Sequence, residues 1–151
     1  MILLCHMLFG AAIAKIVNFL PLMFLLTFLS HYFLDAIPHW EYSVENIKNR
    51  QWRWSHRDFL KVFLDISLGI FLVLFLFGNT ILIFAGAFFT ILSDFLNLLY
   101  FIFPSNRLLN FHYALHAKTH FPKNKKILLF WRISSEVSVF FIAFILAFYQ
   151  R

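Results

Sequence analysis

Long apolar runs broken by short charged stretches set the pattern of this chain, and five such runs can be read. The first, residues 2–17, carries His6 and Lys15. The second, 19–37, has Pro21 in its first turn, where proline is tolerated. The third, 56–77, leads into Gly78-Asn79, a tight-turn signal. The fourth, 80–103, stops at Pro104-Ser105-Asn106, and the fifth covers 127–149. Crossing a bilayer takes about 20 apolar residues, with a range of roughly 17–25, so runs two to five qualify and the first is marginal. The expected fold is an all-α integral membrane protein, one domain over residues 1–151 built as a bundle of about five transmembrane helices. Short interfacial helices are expected on the cytoplasmic side, from the charged and tryptophan-rich stretch 43–54 and from 106–120, which ends before Pro122.

Composition agrees with that pattern. Apolar residues make up 62% of the chain and charged residues 13%, with 23 phenylalanines. A soluble domain carries roughly 25% charged residues, so too little polar surface is available here to cover a soluble globule. The single cysteine, Cys5, excludes an internal disulfide framework and any multi-cysteine zinc site. Ala12-Ile13-Ala14 superficially matches a signal-peptidase site. The run before it lacks an N-terminal Lys or Arg, so the first segment is expected to be retained.

Charge predicts an orientation. Eleven of the thirteen basic residues fall in two stretches, between Pro38 and Lys61 and between Pro104 and Arg132. With five spans both stretches lie on one side, which the positive-inside rule makes cytoplasmic, with the N-terminus in and the C-terminus out. Trp40, Trp52, Trp54 and Trp131 fall at the same face, as an interfacial aromatic belt requires. The net charge of +6 is therefore matched to an anionic membrane surface, and nucleic acid is not an expected partner.

The polar residues inside the runs carry the candidate chemistry. His31 and Asp35 are four apart and share one helical face. Pro38 disfavours helix at Ile37 and places His39 just past the helix end. Counting 1.5 Å per residue from the cytoplasmic ends, His31 and Asp35 lie roughly 3–9 Å deep, and Asp65 and Asp94 about 13 Å deep. His6 lies within two turns of the N-terminus, and His112 and His116 repeat the spacing of four. A carboxylate in the bilayer core costs about 2.5–3.5 kcal/mol, so Asp65 and Asp94 are expected to face a partner or a wet cavity. A divalent cation bound by carboxylates and imidazoles removes that cost. The candidate ligands are His6, His31, Asp35, His39, Asp94, His112 and His116, enough for one or two ions. Ligation by His and Asp without thiolate suits zinc, with manganese or iron as alternatives. Asp65 is the candidate catalytic base or outer-shell carboxylate, although Lys61 one turn earlier offers it a structural ion pair. Asn97 stands one turn from Asp94 and is placed to orient it, and Glu136 beside Ser134, Ser135 and Ser138 is placed to hydrogen-bond across helices. His56 reads as part of a solvated helix start, and His120 continues the spacing of His112 and His116 but abuts Phe121-Pro122.

Several of these stretches resemble the bacterial inner-membrane metal-dependent hydrolases, the group that includes LexA-binding membrane proteins. Cys5-His6-Met7-Leu8-Phe9-Gly10-Ala11-Ala12 resembles their N-terminal helix, in which a histidine precedes small residues. Ser30-His31-Tyr32-Phe33-Leu34-Asp35 is similar to their Ser-His-x-x-x-Asp helix. Leu92-Ser93-Asp94-Phe95 is similar to their Pro-Asp segment, with Ser93 in place of proline. His116-Ala117-Lys118-Thr119-His120 resembles their His-Arg-Gly-x-Thr-His-Ser stretch, one residue shorter and without the Arg-Gly and final Ser. The resemblance implies a small multi-span protein of the bacterial cytoplasmic membrane with a His/Asp metal centre and hydrolase activity. Because the basic mouth of such a site lies at headgroup level, the expected substrate is a phosphoester of a lipid or lipid-like molecule. The alternatives are a non-catalytic module that binds metal or anionic lipid, and a small transporter. A transporter places ionisable groups near the midplane, whereas the outer half of these runs holds almost none.

Overall fold

The computed structural model describes residues 1–120 and 128–148. Lys123, Lys125, Lys126 and the two ends of the expected fifth run, residue 127 and Tyr149, lie outside the described residues. The described residues form seven α-helices and no strand: α1 (Leu3–Ile16), α2 (Leu20–Asp35), α3 (Glu45–Lys48), α4 (His56–Phe77), α5 (Ile81–Ile102), α6 (Arg107–Thr119) and α7 (Leu129–Phe148). A single 3₁₀ turn, Trp52–Trp54, precedes α4. Three helices, α4, α5 and α7, are long and apolar enough to cross a membrane. The expected first and second runs form shorter helices of 14 and 16 residues, about 21 and 24 Å long. The second run is trimmed at both ends. Val17 and Phe19 take extended backbone angles that separate α2 from α1, and Ala36 closes the helix ahead of the restricted residue before Pro38.

The first run, marginal as a span, is the centre of the fold. Nine of the fourteen residues of α1 are buried, and α2, α4, α5 and α7 pack around it. The faces that α4 and α7 turn away from it are lined with exposed side chains such as Phe63, Phe71, Phe75, Phe141 and Ile145. Apolar exposure on this scale is characteristic of a surface meeting another apolar phase.

Small residues set the closest crossing. Gly10 of α1 and Gly86 of α5 meet backbone to backbone, and a Cβ added at Gly10 overlaps Thr90 Oγ1 and the carbonyl of Gly86. A Cβ at Gly86 in turn overlaps the Gly10 carbonyl and Ala14 Cβ. Without water to drive apolar association, close backbone approach of this kind is what holds helices together in a bilayer. The buried face of α5 continues the line through Ile83, Ala87, Thr90, Ser93 and Asn97, at helical spacing. At the other end of α1, Lys15 Nζ donates to the Ala147 carbonyl and ties α1 to α7.

Two carboxylates of α4 fix the start of other helices. Asp65 Oδ2 accepts from Leu3 N at 2.8 Å and Oδ1 from Leu4 N at 3.2 Å, capping α1, which has no cap of its own. Asp58, 2% exposed, accepts from Asn46 N and Ile47 N and so anchors α3. Free N–H groups at a helix start carry partial positive charge, so a carboxylate there satisfies both hydrogen bonding and charge.

The crossing gives a graded prediction. Gly10→Ala should lower stability by roughly 1–3 kcal/mol because backbone must move to admit the methyl. Gly69→Ala should cost less, because its Cβ meets the thioether of Met7, the flexible end of a side chain. Thermal unfolding of both variants in one detergent reads the order, and an unperturbed Gly10→Ala protein would contradict the packing.

Candidate metal centre

The end of α2 and the inner face of α6 meet the middle of α5 at one buried cluster. His31 and Asp35, one turn apart on α2, are 0% and 2% exposed. Helix α6 is started by Asn106, whose side chain accepts from Leu108 N and Leu109 N, and it turns His116 inward. Asp94 comes from α5 and is the most accessible of the four, with 34% of its side chain exposed.

His31 Nε2 and His116 Nε2 are 3.0 Å apart, and each lies 3.3 Å from Asp35 Oδ2. Asp94 Oδ1 stands 3.9 Å from His31 Nε2 and 4.0 Å from His116 Nε2. One ligand atom from each of the four residues falls within 4.8 Å of the others. Four ligands around a tetrahedral zinc ion at about 2.0–2.1 Å are roughly 3.3 Å apart, close to the separations on the Asp35 side and shorter than those to Asp94. The donor set also fits a cation chemically. Each Nε2 carries at most one hydrogen, yet each faces the other imidazole and Asp35 Oδ2. Lone pairs turned toward a shared cation relieve that conflict. His31 Nδ1 is buried without a hydrogen-bond partner among the described residues, so the outward side of this imidazole lacks the acceptor that commonly orients a metal-bound histidine.

Asp35 divides its two oxygens. Oδ2 faces His31 and His116, while Oδ1 takes the Met1 amino group at 2.8 Å and His6 Nε2 at 3.1 Å. His6 is fully buried and stacks on His31 with ring centroids 4.4 Å apart. It therefore holds Asp35 and His31 from behind.

His112 stands one layer out. Its Nε2 lies 2.9 Å from the Tyr32 hydroxyl and 3.1 Å from the Ser93 hydroxyl. Burial, together with the neighbouring His116 and His31, pushes its pKa below the ordinary histidine value. Its Nε2 is thus engaged by two hydroxyls and not by the cluster carboxylates.

A second group adjoins the first. Asp35, His39 and His120 bring ligand atoms within 4.8 Å of one another. Glu41 Oε1 joins His39 Nε2 at 3.0 Å and His120 Nε2 at 2.6 Å. Glu41 escaped the sequence reading. Its signal is its position two residues after His39 on non-helical backbone, where alternate side chains share a side.

The remaining candidates are placed elsewhere. Asp65 holds the α1 start and also accepts from the Tyr42 hydroxyl at 3.0 Å, and this contact with burial raises the Tyr42 pKa. Lys61 pairs with Asp58 at 3.6 Å and donates to the Ser43 carbonyl. Glu136 Oε1 is buried without a hydrogen-bond partner among the described residues, and the neighbouring Ser135 donates to the Pro38 carbonyl. His56 is exposed at the first residue of α4.

The fold and the cluster together define an all-helical, strongly apolar chain that gathers His and Asp ligand atoms from three of its helices. No known protein family, curated protein or solved structure matches the chain.

The contrast between the carboxylates is testable. Asp65→Ala should cost about 1–3 kcal/mol of stability through the lost α1 cap and leave metal content unchanged. Asp35→Ala should remove metal. Equal metal loss in both variants, read by elemental analysis beside thermal unfolding, would contradict the division of roles.

Proposed function

We propose that this chain is a metal-dependent hydrolase of the bacterial cytoplasmic membrane, acting on a phosphoester of a lipid or lipid-like substrate. The observation that carries the reading is the convergence of His31, Asp35, Asp94 and His116 from three helices on one point. Zinc suits two imidazoles and two carboxylates without thiolate, with manganese or iron as substitutes. When bound, such an ion supplies Lewis acidity toward a phosphoryl oxygen. Asp35 is fixed from behind by His6, and Asp94 is the ligand on the accessible side, where a substrate approaches. The short motifs resembling the inner-membrane metal-dependent hydrolases point the same way.

In this reading α1 and α2 join α4, α5 and α7 as five crossings, with local thinning of the bilayer accommodating the two short helices. The cluster then lies at the cytoplasmic side beside the basic stretches, within reach of phospholipid headgroups.

Two measurements test the proposal. Single cysteines at Ser105 and Asn79, placed in a Cys5→Ser background, should label from the cytoplasm and the periplasm respectively; the reverse pattern would contradict the orientation. Purified protein should carry one or two equivalents of a transition metal and hydrolyse a phosphoester. Both properties should be lost in His31→Ala and Asp94→Ala while the proteins stay folded. Metal absent from the wild type even after reconstitution would overturn the hydrolase reading.

A further inference from the structure

A cavity of about 620 Å³ opens beside the metal cluster, a size typical of small-molecule sites. Asp94, His116, His120 and Glu41 form one part of its lining, and Lys48 of α3 adds a cation. Apart from Asn97 and two tyrosines, most of the remaining side chains are apolar. Phe59, Val62 and Ile66 of α4 face it from one side, and Phe88, Ile91 and Leu98 of α5 from the other. Helices α4 and α5 pack mainly on α1 and touch each other little, which is what leaves room between them.

One polar side chain in this lining has no internal purpose. Asn97 is 8% exposed, lines the cavity, and its Oδ1 has no hydrogen-bond partner among the described residues. A buried carbonyl oxygen left unpaired is costly, and a donor brought in by a ligand in this cavity would satisfy it.

We infer that this cavity seats a single-chain amphiphile with a phosphate head and a hydroxyl close to it, of the monoacylglycerol phosphate class. The head lies against the metal cluster and Lys48, the hydroxyl donates to Asn97 Oδ1, and the hydrocarbon chain lies between α4 and α5. The inference rests on the reading of the cluster as a metal centre for phosphoesters, and it adds the substrate's tail and hydroxyl as the recognised parts.

The test is native mass spectrometry of metal-loaded protein in detergent, titrated with long-chain monoacylglycerol phosphate, with long-chain alkyl phosphate and with glycerol phosphate. The expected result is one saturable adduct of the monoacyl compound and none of glycerol phosphate. Val62→Trp and Leu98→Trp, which fill the slot from opposite sides, should each weaken that adduct about tenfold or more while metal content stays unchanged. Asn97→Leu should reduce the preference for the hydroxyl-bearing compound over alkyl phosphate by about tenfold. Non-saturating adducts that persist equally in both tryptophan variants mean lipid bound only around the protein, and overturn the proposal. Failure of the underlying reading looks different. Protein that takes one saturable adduct but binds no metal keeps the amphiphile site and loses the hydrolase.

Discussion

A carboxylate buried at the end of an apolar helix is the constraint on which this structure depends. Asp35 is 2% exposed, and a lone charge there is strongly unfavourable. Its neighbourhood is built to answer that cost from several directions at once. The α1 side supplies the Met1 amino group and His6 to one oxygen, and α2 and α6 supply His31 and His116 to the other. Removing any one of these leaves the others facing an under-compensated charge, so the cluster couples helices that are distant in sequence.

The surrounding scaffold serves that convergence. The crossing at Gly10 and Gly86 brings α1 against α5, which sets His6 and Asp94 on either side of the α2 end. Asp65 secures the start of α1 within one turn of His6, and Asp58 secures α3 at the edge of the cavity. The acidic residues of α4 thus hold backbone in place, while Asp35 and Asp94 face the histidine cluster. Tyr32 and Ser93, adjacent in sequence to His31 and Asp94, bring their hydroxyls against His112.

Much of the site was legible because helical spacing is a local property. The four-residue intervals of His31 and Asp35 and of His112 and His116 predicted shared faces, and depth along the fourth run placed Asp94 within about one turn of that layer. Spacing cannot reveal what stands opposite a face. For that reason Asp65, at a depth equal to that of Asp94, read as catalytic, while its oxygens are taken by the first N–H groups of α1. Lys61, one turn from Asp65 in sequence, pairs with Asp58 instead. Glu41 left no periodic signal because residues 37–44 form no regular element. The central position of α1 was hidden for a related reason. Apart from His6 and Lys15 its residues are apolar all round, which is equally the pattern of a short span and of a helix enclosed by others.

The central claim is that His31, Asp35, Asp94 and His116 hold one metal ion. X-ray absorption at the metal edge of protein reconstituted with zinc tests it most directly. The account predicts a first shell of nitrogen and oxygen at about 2.0–2.1 Å, with the outer-shell scattering pattern of two imidazoles that falls to one in His116→Ala. A shell containing sulfur at about 2.3 Å, or one without imidazole scattering, would contradict it.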